Sequence, residues 1–194
     1  LKMEHPNSVY ATSTKFNGES WPVASTVYYE FPKRKSGLKF PKKKWLPPVK
    51  LTWYDGGIMP PRPEGIEPGR IMGDKNGGVL FLGDKGMIMC GCYGSNPRLV
   101  PETSMKNYNR PKKTIPRSPG IHEEWIECIK TGNQPTANFD YAAKLTGTML
   151  LGNIAVRMAG MNKKLKWDSE NLQFSNLDDA NRFLSRKYRD GWAL

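Results

Sequence analysis

The chain has 194 residues, enough for one domain with its own core or for one domain of a larger protein. It is 38% hydrophobic, and no apolar run reaches the roughly 18 to 20 residues that a membrane-spanning helix needs. The 30 Lys and Arg against 18 Asp and Glu give a formal charge of +12, which points to an acidic partner as one class to consider.

The basic residues are concentrated in two Pro-rich stretches. The first contains Lys33, Arg34, Lys35, Lys39, Lys42, Lys43, Lys44 and Lys50. The second contains Lys106, Arg110, Lys112, Lys113 and Arg117. Neither stretch has helical spacing, and neither resembles a DNA- or RNA-binding module. We therefore interpret both as solvated loop charge and do not expect nucleic acid as a partner, with another acidic partner as the alternative.

Alternating apolar and polar residues predict antiparallel strands over residues 8–16, 23–31 and 49–54. Asn17 and Gly18 predict a turn after the first of them. The basic segment 32–48 is expected to be a loop. Two shorter strands, 78–82 and 87–90, flank a predicted hairpin turn at 83–86, and residues 94–118 are expected to form a long loop.

From Ser118 onward the apolar period becomes helical. Ser118 is predicted as the N-cap of a helix that ends at Gly132, and Asn138 as the N-cap of a longer helix that runs to about Met158. This longer helix is apolar on most sides, so we expect it to be buried. A third, short helix is predicted over residues 177–184.

Strands followed by helices predict an α+β fold: an open, mostly antiparallel sheet with the helices on one face. Gly147 and Gly152 lower the helix propensity of the long helix, which implies that another backbone packs close to them. The second face of the sheet is expected to be a spare apolar face. A partner subunit or another domain would cover it, so we expect a homo-oligomer.

The three cysteines do not have the spacing of a metal site or a redox pair. Cys90 and Cys92 are two residues apart on a predicted strand, Cys128 falls in a predicted helix, and the chain has only two His. We interpret the three as reduced thiols in the interior, and we predict no metal.

Trp53, Tyr54 and Asp55, followed by Gly56 and Gly57, form the best candidate for a substrate site. Two aromatic rings at a strand end can cover apolar C–H patches of a polyhydroxylated ligand, and the carboxylate can accept hydrogen bonds from its hydroxyls. In the alternative interpretation, Asp55 only stabilises its own turn. The residue types do not distinguish between the two.

His122 and Arg98 are weaker candidates for substrate contact. His122 could donate a proton or contact a sugar, but it has no paired base nearby in the sequence, and a structural His is the alternative. Arg98 could bind an anionic substrate group or form a structural salt bridge. No G-x-G-x-x-G sequence follows a strand, and residues 83–86 fall in a hairpin, so we expect no nucleotide site in this chain.

Several short sequence segments are weak signals one by one, but their order along the chain is a specific signal when they are taken together. They are residues 48–57, 78–86, 93–98, 122–126, 138–142, 150–155, 167–168 and 188–192. Together they resemble the C-terminal domain of the glucose–fructose oxidoreductase / inositol dehydrogenase (Gfo/Idh/MocA) family, in its Bacteroidetes-type branch. The resemblance covers nearly the whole chain, from about Ser8 to Trp192.

The resemblance implies a parent enzyme with an N-terminal Rossmann domain that binds NAD or NADP and a C-terminal domain that shapes the substrate pocket and mediates oligomerisation. Residues 1–194 would then be a single α+β domain, a C-terminal fragment of a bacterial cytoplasmic or periplasmic protein. The family's catalytic Lys and His belong to segments that precede this region. No catalytic residue is therefore carried over, and His122 is not taken as the family's catalytic His because its context differs.

The resemblance thus predicts the substrate-binding and oligomerisation domain of an NAD(P)-dependent oxidoreductase that acts on a sugar, cyclitol or glycoside, or that cleaves glycosides through transient oxidation. Its partners would be the Rossmann domain, a sugar-like small molecule and further copies of itself. The chain alone is expected to be inactive and to hold no cofactor. The alternative is a non-enzymatic module that binds a carbohydrate or a polyanion.

Overall fold

The structure, a computed structural model, describes residues 3–36 and 45–192. In these ranges the strands are β1 (Ser8–Ser13), β2 (Ser25–Phe31), β3 (Arg34–Lys35), β4 (Trp45–Leu46), β5 (Val49–Tyr54), β6 (Gly78–Gly83), β7 (Gly86–Gly91), β8 (Arg98–Val100), β9 (Leu165–Asp168) and β10 (Gln173–Phe174). The helices are α1 (Glu102–Lys106), α2 (Ile121–Thr131), α3 (Phe139–Arg157) and α4 (Asp178–Asn181). The chain is a mixed fold of helices and antiparallel sheets. None of the described helices is long and apolar enough to cross a membrane.

The chain divides into two compact units. The first contains the described residues up to Met59 and from Ser118 onward, and the second is Pro60–Arg117. The expectation of one domain over residues 1–194 stays a prediction, because compactness does not show whether either unit folds alone.

The first unit is built on a five-stranded antiparallel sheet with the order β10–β9–β1–β2–β5. The alternation of apolar residues puts one set of side chains on a common face, which forms the core with α3. The strand members of this core are Val9, Ala11, Val27, Tyr29 and Phe31, each at most 5% exposed. The predicted strands are confirmed here: β5 has the predicted bounds, and β1 and β2 are shorter than predicted.

The opposite face of the sheet is polar. Residues that pair directly across antiparallel strands point to the same side. This face carries Tyr10, Thr12, Thr26, Tyr28, Lys50, Thr52 and Tyr54. The rings of Tyr10 and Tyr28 stack with 5.8 Å between their centroids. The expectation of a spare apolar face on the sheet is therefore wrong, because hydroxyl and amine groups alternate with the core residues.

Helix α3 begins where the sequence predicts. The Asn138 side chain accepts a hydrogen bond from the backbone N–H of Tyr141 at 3.1 Å, which satisfies one of the free donors of the first turn. The prediction that the whole helix is buried is wrong. Its buried residues begin at Thr148, and the side chains of Phe139 and Leu145 in the first half are 89% and 53% exposed.

Gly152 brings α3 close to the sheet. A Cβ at this position would overlap the side-chain hydroxyl of Tyr29 on β2 and lie 3.4 Å from Cγ1 of Val27. The close approach predicted from the glycine thus occurs, although a side chain makes it rather than a backbone. At Gly147 a Cβ would meet nothing within 4 Å, so the same prediction is wrong there.

Helix α2 ends at the predicted glycine but does not begin at the predicted cap. Gly132 follows the helix in the left-handed conformation, with φ of 74°. The N-cap position belongs to Gly120 and not to Ser118. The Ser118 hydroxyl instead donates to the Glu124 carboxylate at 2.8 Å and accepts from the Gly120 N–H. No residue of α2 is buried.

The remaining predicted helix and two unpredicted strands complete the first unit. Helix α4 is shorter than the predicted helix over residues 177–184. The sequence predicted no element where β9 and β10 extend the sheet, with Trp167 and Phe174 in edge-to-face contact at 5.1 Å. In the basic segment expected to be a loop, β3 pairs with β4. Lys39, Lys42, Lys43 and Lys44 of that segment lie outside the described residues.

The second unit contains a three-stranded antiparallel sheet with the order β6–β7–β8. The predicted hairpin is confirmed, with Gly83 opposite Gly86 at its turn. Strand β8 and helix α1 lie in the segment that was expected to be a loop, so that expectation is wrong for residues 98–106. Its small core is formed by Ile66, Met89 and Val100.

Candidate functional site

The predicted segment Trp53, Tyr54 and Asp55 lies at the end of β5. Trp53 pairs with Val27 and Tyr54 pairs with Thr26, so the two aromatic side chains point to opposite faces of the sheet. Trp53 is 49% exposed, and its indole N–H donates to the Asp55 carboxylate at 3.3 Å. An exposed ring held by a hydrogen bond on a strand end is a rigid surface for contact with a ligand.

The Asp55 carboxylate is bound to the first residue of β2. Its Oδ1 accepts from the Ser25 backbone N–H at 2.6 Å, and its Oδ2 accepts from the Ser25 hydroxyl at 2.9 Å. The Asp55 N–H donates in turn to the Ser25 carbonyl at 3.1 Å. Ser25 is 1% exposed, so water does not replace these bonds. The arrangement supports the interpretation that Asp55 fastens the end of β5 to the start of β2.

The turn after Asp55 requires glycine. Gly56 has φ of 65°, and a Cβ there would overlap the backbone of Val23 and Ala24. The chain therefore turns tightly against the segment that leads into β2. This close packing and the Asp55 bonds hold the strand end from two sides, and they leave Trp53 as the exposed member of the candidate site.

His122 lies at the second position of α2, and its side chain is exposed. The neighbouring acid Glu124 connects two segments of the chain. Besides the Ser118 bond, its carboxylate accepts from the Thr136 N–H at 3.0 Å and the Thr136 hydroxyl at 2.9 Å. The hydrogen bond from Ser118 is the main cause that lowers the pKa of Glu124 below its usual value. Glu124 thus ties α2 to the loop before α3.

Arg98 belongs to the second unit, where it is part of an ion-pair network. Its guanidinium is paired with Glu102, with Nε 3.3 Å from Oε2. Arg70 bridges Glu102 and Glu67 at 3.3 Å and 2.9 Å, and its hydrogen bond is the main cause that lowers the pKa of Glu67. These bonds support the structural interpretation of Arg98, and they hold its guanidinium in a fixed place.

A cleft of about 440 Å³ lies beside this network. We call it the Asp74 cleft. The polar side chains that line it are Arg70, Asp74, Ser95, Asn96 and Arg98. The sequence interpretation missed this cleft, because Asp74 and Ser95 are 21 residues apart. The glycines between them, Gly77, Gly78 and Gly91, were the available signal of close backbone packing.

The candidates do not all belong to one unit. Trp53, Tyr54 and Asp55 are consecutive on β5, and His122 is in the same unit on α2. Arg98 lies in the other unit with the Asp74 cleft. The structure joins Arg98 to acidic residues that the sequence interpretation did not consider, and it joins Asp55 to Ser25.

The hairpin turn between β6 and β7 does not fit a nucleotide. Gly83 and Gly86 connect two antiparallel strands, so no helix N-terminus follows the turn to hold a pyrophosphate group. The three cysteines are free thiols, and only Cys90 is buried, so the interior position predicted for Cys92 and Cys128 is wrong. Among residues 3–36 and 45–192 no group of three or more His, Cys, Asp or Glu could hold a metal ion.

No protein-family model matches the chain, and no curated protein matches it.

Proposed function

We propose that this chain is the substrate-binding and oligomerisation domain of an NAD(P)-dependent oxidoreductase that acts on a sugar, cyclitol or glycoside. The nicotinamide cofactor and the groups that move the proton would belong to a separate Rossmann domain. The observation that carries this proposal is the set of large apolar side chains that α2 and the part of α3 up to Leu150 leave exposed.

The two helices carry nine such side chains. They are Ile121, Trp125, Ile126, Ile129, Phe139, Tyr141, Leu145, Met149 and Leu150, each between 40% and 89% exposed. Ile121, Trp125 and Ile129 are spaced by four residues and form one stripe along α2. Tyr141, Leu145 and Met149 form a second stripe along α3 by the same spacing. We call these two rows the apolar helix stripes.

Monomeric proteins rarely leave so much apolar surface in water. α2, which is polar on one side and apolar on the other, would normally bury its apolar side against another element, and the exposed apolar side chains of α3 would normally be buried in the same way. In the proposed parent, the Rossmann domain covers the apolar helix stripes, and the exposed Trp53 at the end of β5 contributes to the wall of the substrate pocket.

Calorimetry on two proteins tests the proposal. The chain alone should give no heat with NADH or NADPH, whereas a parent protein that includes the sequence upstream of Leu1 should bind one of them. Micromolar binding of either cofactor by the chain alone would contradict the assignment of cofactor binding to a separate Rossmann domain. An upstream sequence without a strand, a glycine-rich turn and a helix would contradict the reaction class.

The rival function is a module that binds a polyanion without any redox chemistry. Its specific support is an exposed basic segment in the second unit. The segment contains Lys106, Arg110, Lys112, Lys113 and Arg117, all exposed. Polyanion binding should weaken steeply as salt rises, since each phosphate or sulfate contact releases a counterion. Titration with heparin at two salt concentrations distinguishes this function from a neutral-sugar pocket.

A further inference from the structure

The Asp74 cleft has the size and the fixed polar groups of a small-molecule site. Its volume of about 440 Å³ falls within the range of roughly 300 to 1,000 Å³ that is usual for ligand pockets. Met89 and Cys90, 4% and 6% exposed, form part of its apolar lining. Such a combination of an apolar floor with a few polar groups is typical of sites for small ligands.

The Asp74 carboxylate is held rigidly in this cleft. It accepts hydrogen bonds from the backbone N–H of Asn76 at 2.8 Å, the backbone N–H of Cys92 at 2.9 Å and the Ser95 hydroxyl at 3.1 Å. The bond from Asn76 is the main cause that lowers the pKa of Asp74 below its usual value. The carboxylate is therefore charged at neutral pH, and it remains an acceptor of fixed position.

Gly91 is what allows Asp74 to lie so close to the backbone. A Cβ at Gly91 would overlap both Oδ2 of Asp74 and the Ser95 hydroxyl. Asn96, three residues after Tyr93, has φ of 44°, a left-handed conformation that Asn tolerates better than most residues. This conformation places an exposed amide on the cleft wall, where it offers both a donor and an acceptor.

The cleft has no excess of positive charge, which decides between classes of ligand. Arg70 and Arg98 on the wall are paired with Glu67 and Glu102. Asp74 adds a further negative charge to the lining. A site without excess positive charge gives an anion no net attraction, whereas its rigid acceptors and donors suit hydroxyl groups.

We propose that the Asp74 cleft binds a small neutral polyhydroxylated molecule, such as a monosaccharide or a cyclitol. Asp74 accepts from its hydroxyls, Asn96 and Arg98 donate to them, and Met89 contacts its C–H face. The proposal does not rest on the redox function, because every residue it uses lies in the second unit and no cofactor takes part.

Titration of the 194-residue chain, monitored by NMR amide shifts, tests the site. The probes are D-glucose, D-galactose and myo-inositol, with D-glucuronate and inorganic phosphate as the anionic comparison. The variant is Asn96→Gly, which removes the amide and suits the left-handed backbone, so the fold should be kept. The control is Asn162→Gly in the first unit, which removes an amide at a second left-handed position with φ of 47°.

We expect saturable binding of at least one neutral probe, with shifts at residues of the cleft and little dependence on salt. Asn96→Gly should weaken this binding about tenfold, the usual effect of losing one or two hydrogen bonds to a ligand, and Asn162→Gly should leave it unchanged. No saturable binding of any neutral probe would overturn the proposal. So would binding that Asn96→Gly does not alter, or stronger and salt-sensitive binding of glucuronate or phosphate.

Discussion

Asp55 illustrates how a candidate site residue can have a structural function. Both carboxylate oxygens accept from Ser25, whose backbone N–H would be left unpaired in the interior without them. We expect Asp55→Ala to lower the free energy of unfolding by about 1 to 3 kcal/mol, since a buried donor loses its partner. Urea denaturation of the purified variant measures this change.

Two comparisons complete the Asp55 experiment. Asp84→Ala removes an exposed carboxylate in the turn between β6 and β7 and should change the stability by less than about 0.5 kcal/mol. In the proposed parent enzyme, Asp55→Ala should leave kcat/KM nearly intact, and His122→Ala serves as the reference for a weaker candidate. A large loss of kcat/KM at unchanged stability would instead make Asp55 a substrate contact.

Gly152 and Tyr29 form a packing pair that a double-mutant cycle can measure. Gly152→Ala should destabilise the protein by about 1 to 3 kcal/mol, because the added methyl overlaps the Tyr29 hydroxyl. In a Tyr29→Phe background the same substitution should cost less, since the hydroxyl is gone. Gly147→Ala is the control, because its methyl meets open space and should be neutral or stabilising. Equal costs in both backgrounds would show that the two residues do not interact.

The burial of the Tyr29 hydroxyl leads us to predict a loss of stability at alkaline pH. Burial raises its pKa from 10.0 to about 12 in the folded protein. Because the pKa is higher in the folded protein, the contribution of the protonated Tyr29 to the free energy of unfolding is fully present below pH 10. This contribution is lost between pH 10 and 12, where the unfolded chain releases the Tyr29 hydroxyl proton and the folded chain keeps it.

Wild type and Tyr29→Phe should therefore differ in slope when their unfolding free energies are compared from pH 9 to 12. The wild type should lose more stability than the variant over this interval, at a rate of up to about 1.4 kcal/mol per pH unit. Parallel curves would show that Tyr29 ionises as freely in the folded protein as in the unfolded chain.

At the scale of elements, the start of α3 depends on a single side chain. The Asn138 amide accepts from the Tyr141 N–H and donates to the Pro135 carbonyl at 3.1 Å, so it fixes the chain on both sides of the helix start. We expect Asn138→Ala to cost about 1 kcal/mol. Asn133→Ala, in the exposed loop five residues earlier, should have almost no effect in the same thermal melts. Equal melting temperatures for the two variants would contradict the cap.

The elements that the sequence predicts best are those with a strong local pattern. Strand β5 and the hairpin of β6 and β7 show alternation or a glycine turn, and α3 shows a cap followed by a helical period. Strand β8 has three residues between two prolines, too few to show a period. Strands β9 and β10 are likewise short, and β9, which pairs with β10, joins the sheet through β1, a strand far away in the sequence.

For the candidate site, too, the sequence predicted what depends on neighbouring residues and not what depends on residues far away in the chain. The sequence located Trp53, Tyr54 and Asp55 at a strand end, because that is a local property. It could not tell the role of Asp55, since the deciding partner Ser25 is 30 residues away. The burial of α3 was misjudged for a related reason: apolar residues on all sides do not reveal which half of a helix contacts the sheet.

At the scale of the whole molecule, exposed apolar surface is found where the sequence did not place it. The sheet face opposite α3 carries hydroxyl and charged groups, with Glu30 bound to Ser8 at 2.8 Å and to Lys164 at 2.9 Å. The apolar helix stripes on α2 and α3 are instead open to water. Within the first unit, association driven by apolar contact should therefore use the helices and not the five-stranded sheet.

We predict that the isolated chain self-associates through the apolar helix stripes. Trp125 is 60% exposed at the centre of the α2 stripe, and large aromatic residues at the centre of an interface contribute most to affinity. Trp125→Glu should therefore weaken self-association at least about tenfold, because it removes the ring and introduces a charge into the contact. Light scattering over a range of protein concentrations measures the change.

Tyr28→Glu on the opposite face of the sheet separates the two surfaces. Tyr28 is 38% exposed, so the substitution alters the sheet face without touching the helices. Self-association through the helix stripes should survive it, because no apolar stripe is changed. If Tyr28→Glu dissociates the oligomer and Trp125→Glu does not, the subunits meet through the polar sheet face instead. A mass that stays monomeric at every concentration would mean that the exposed stripes do not associate in the isolated chain. Covering them would then require a partner whose apolar surface is more complementary to them than their own.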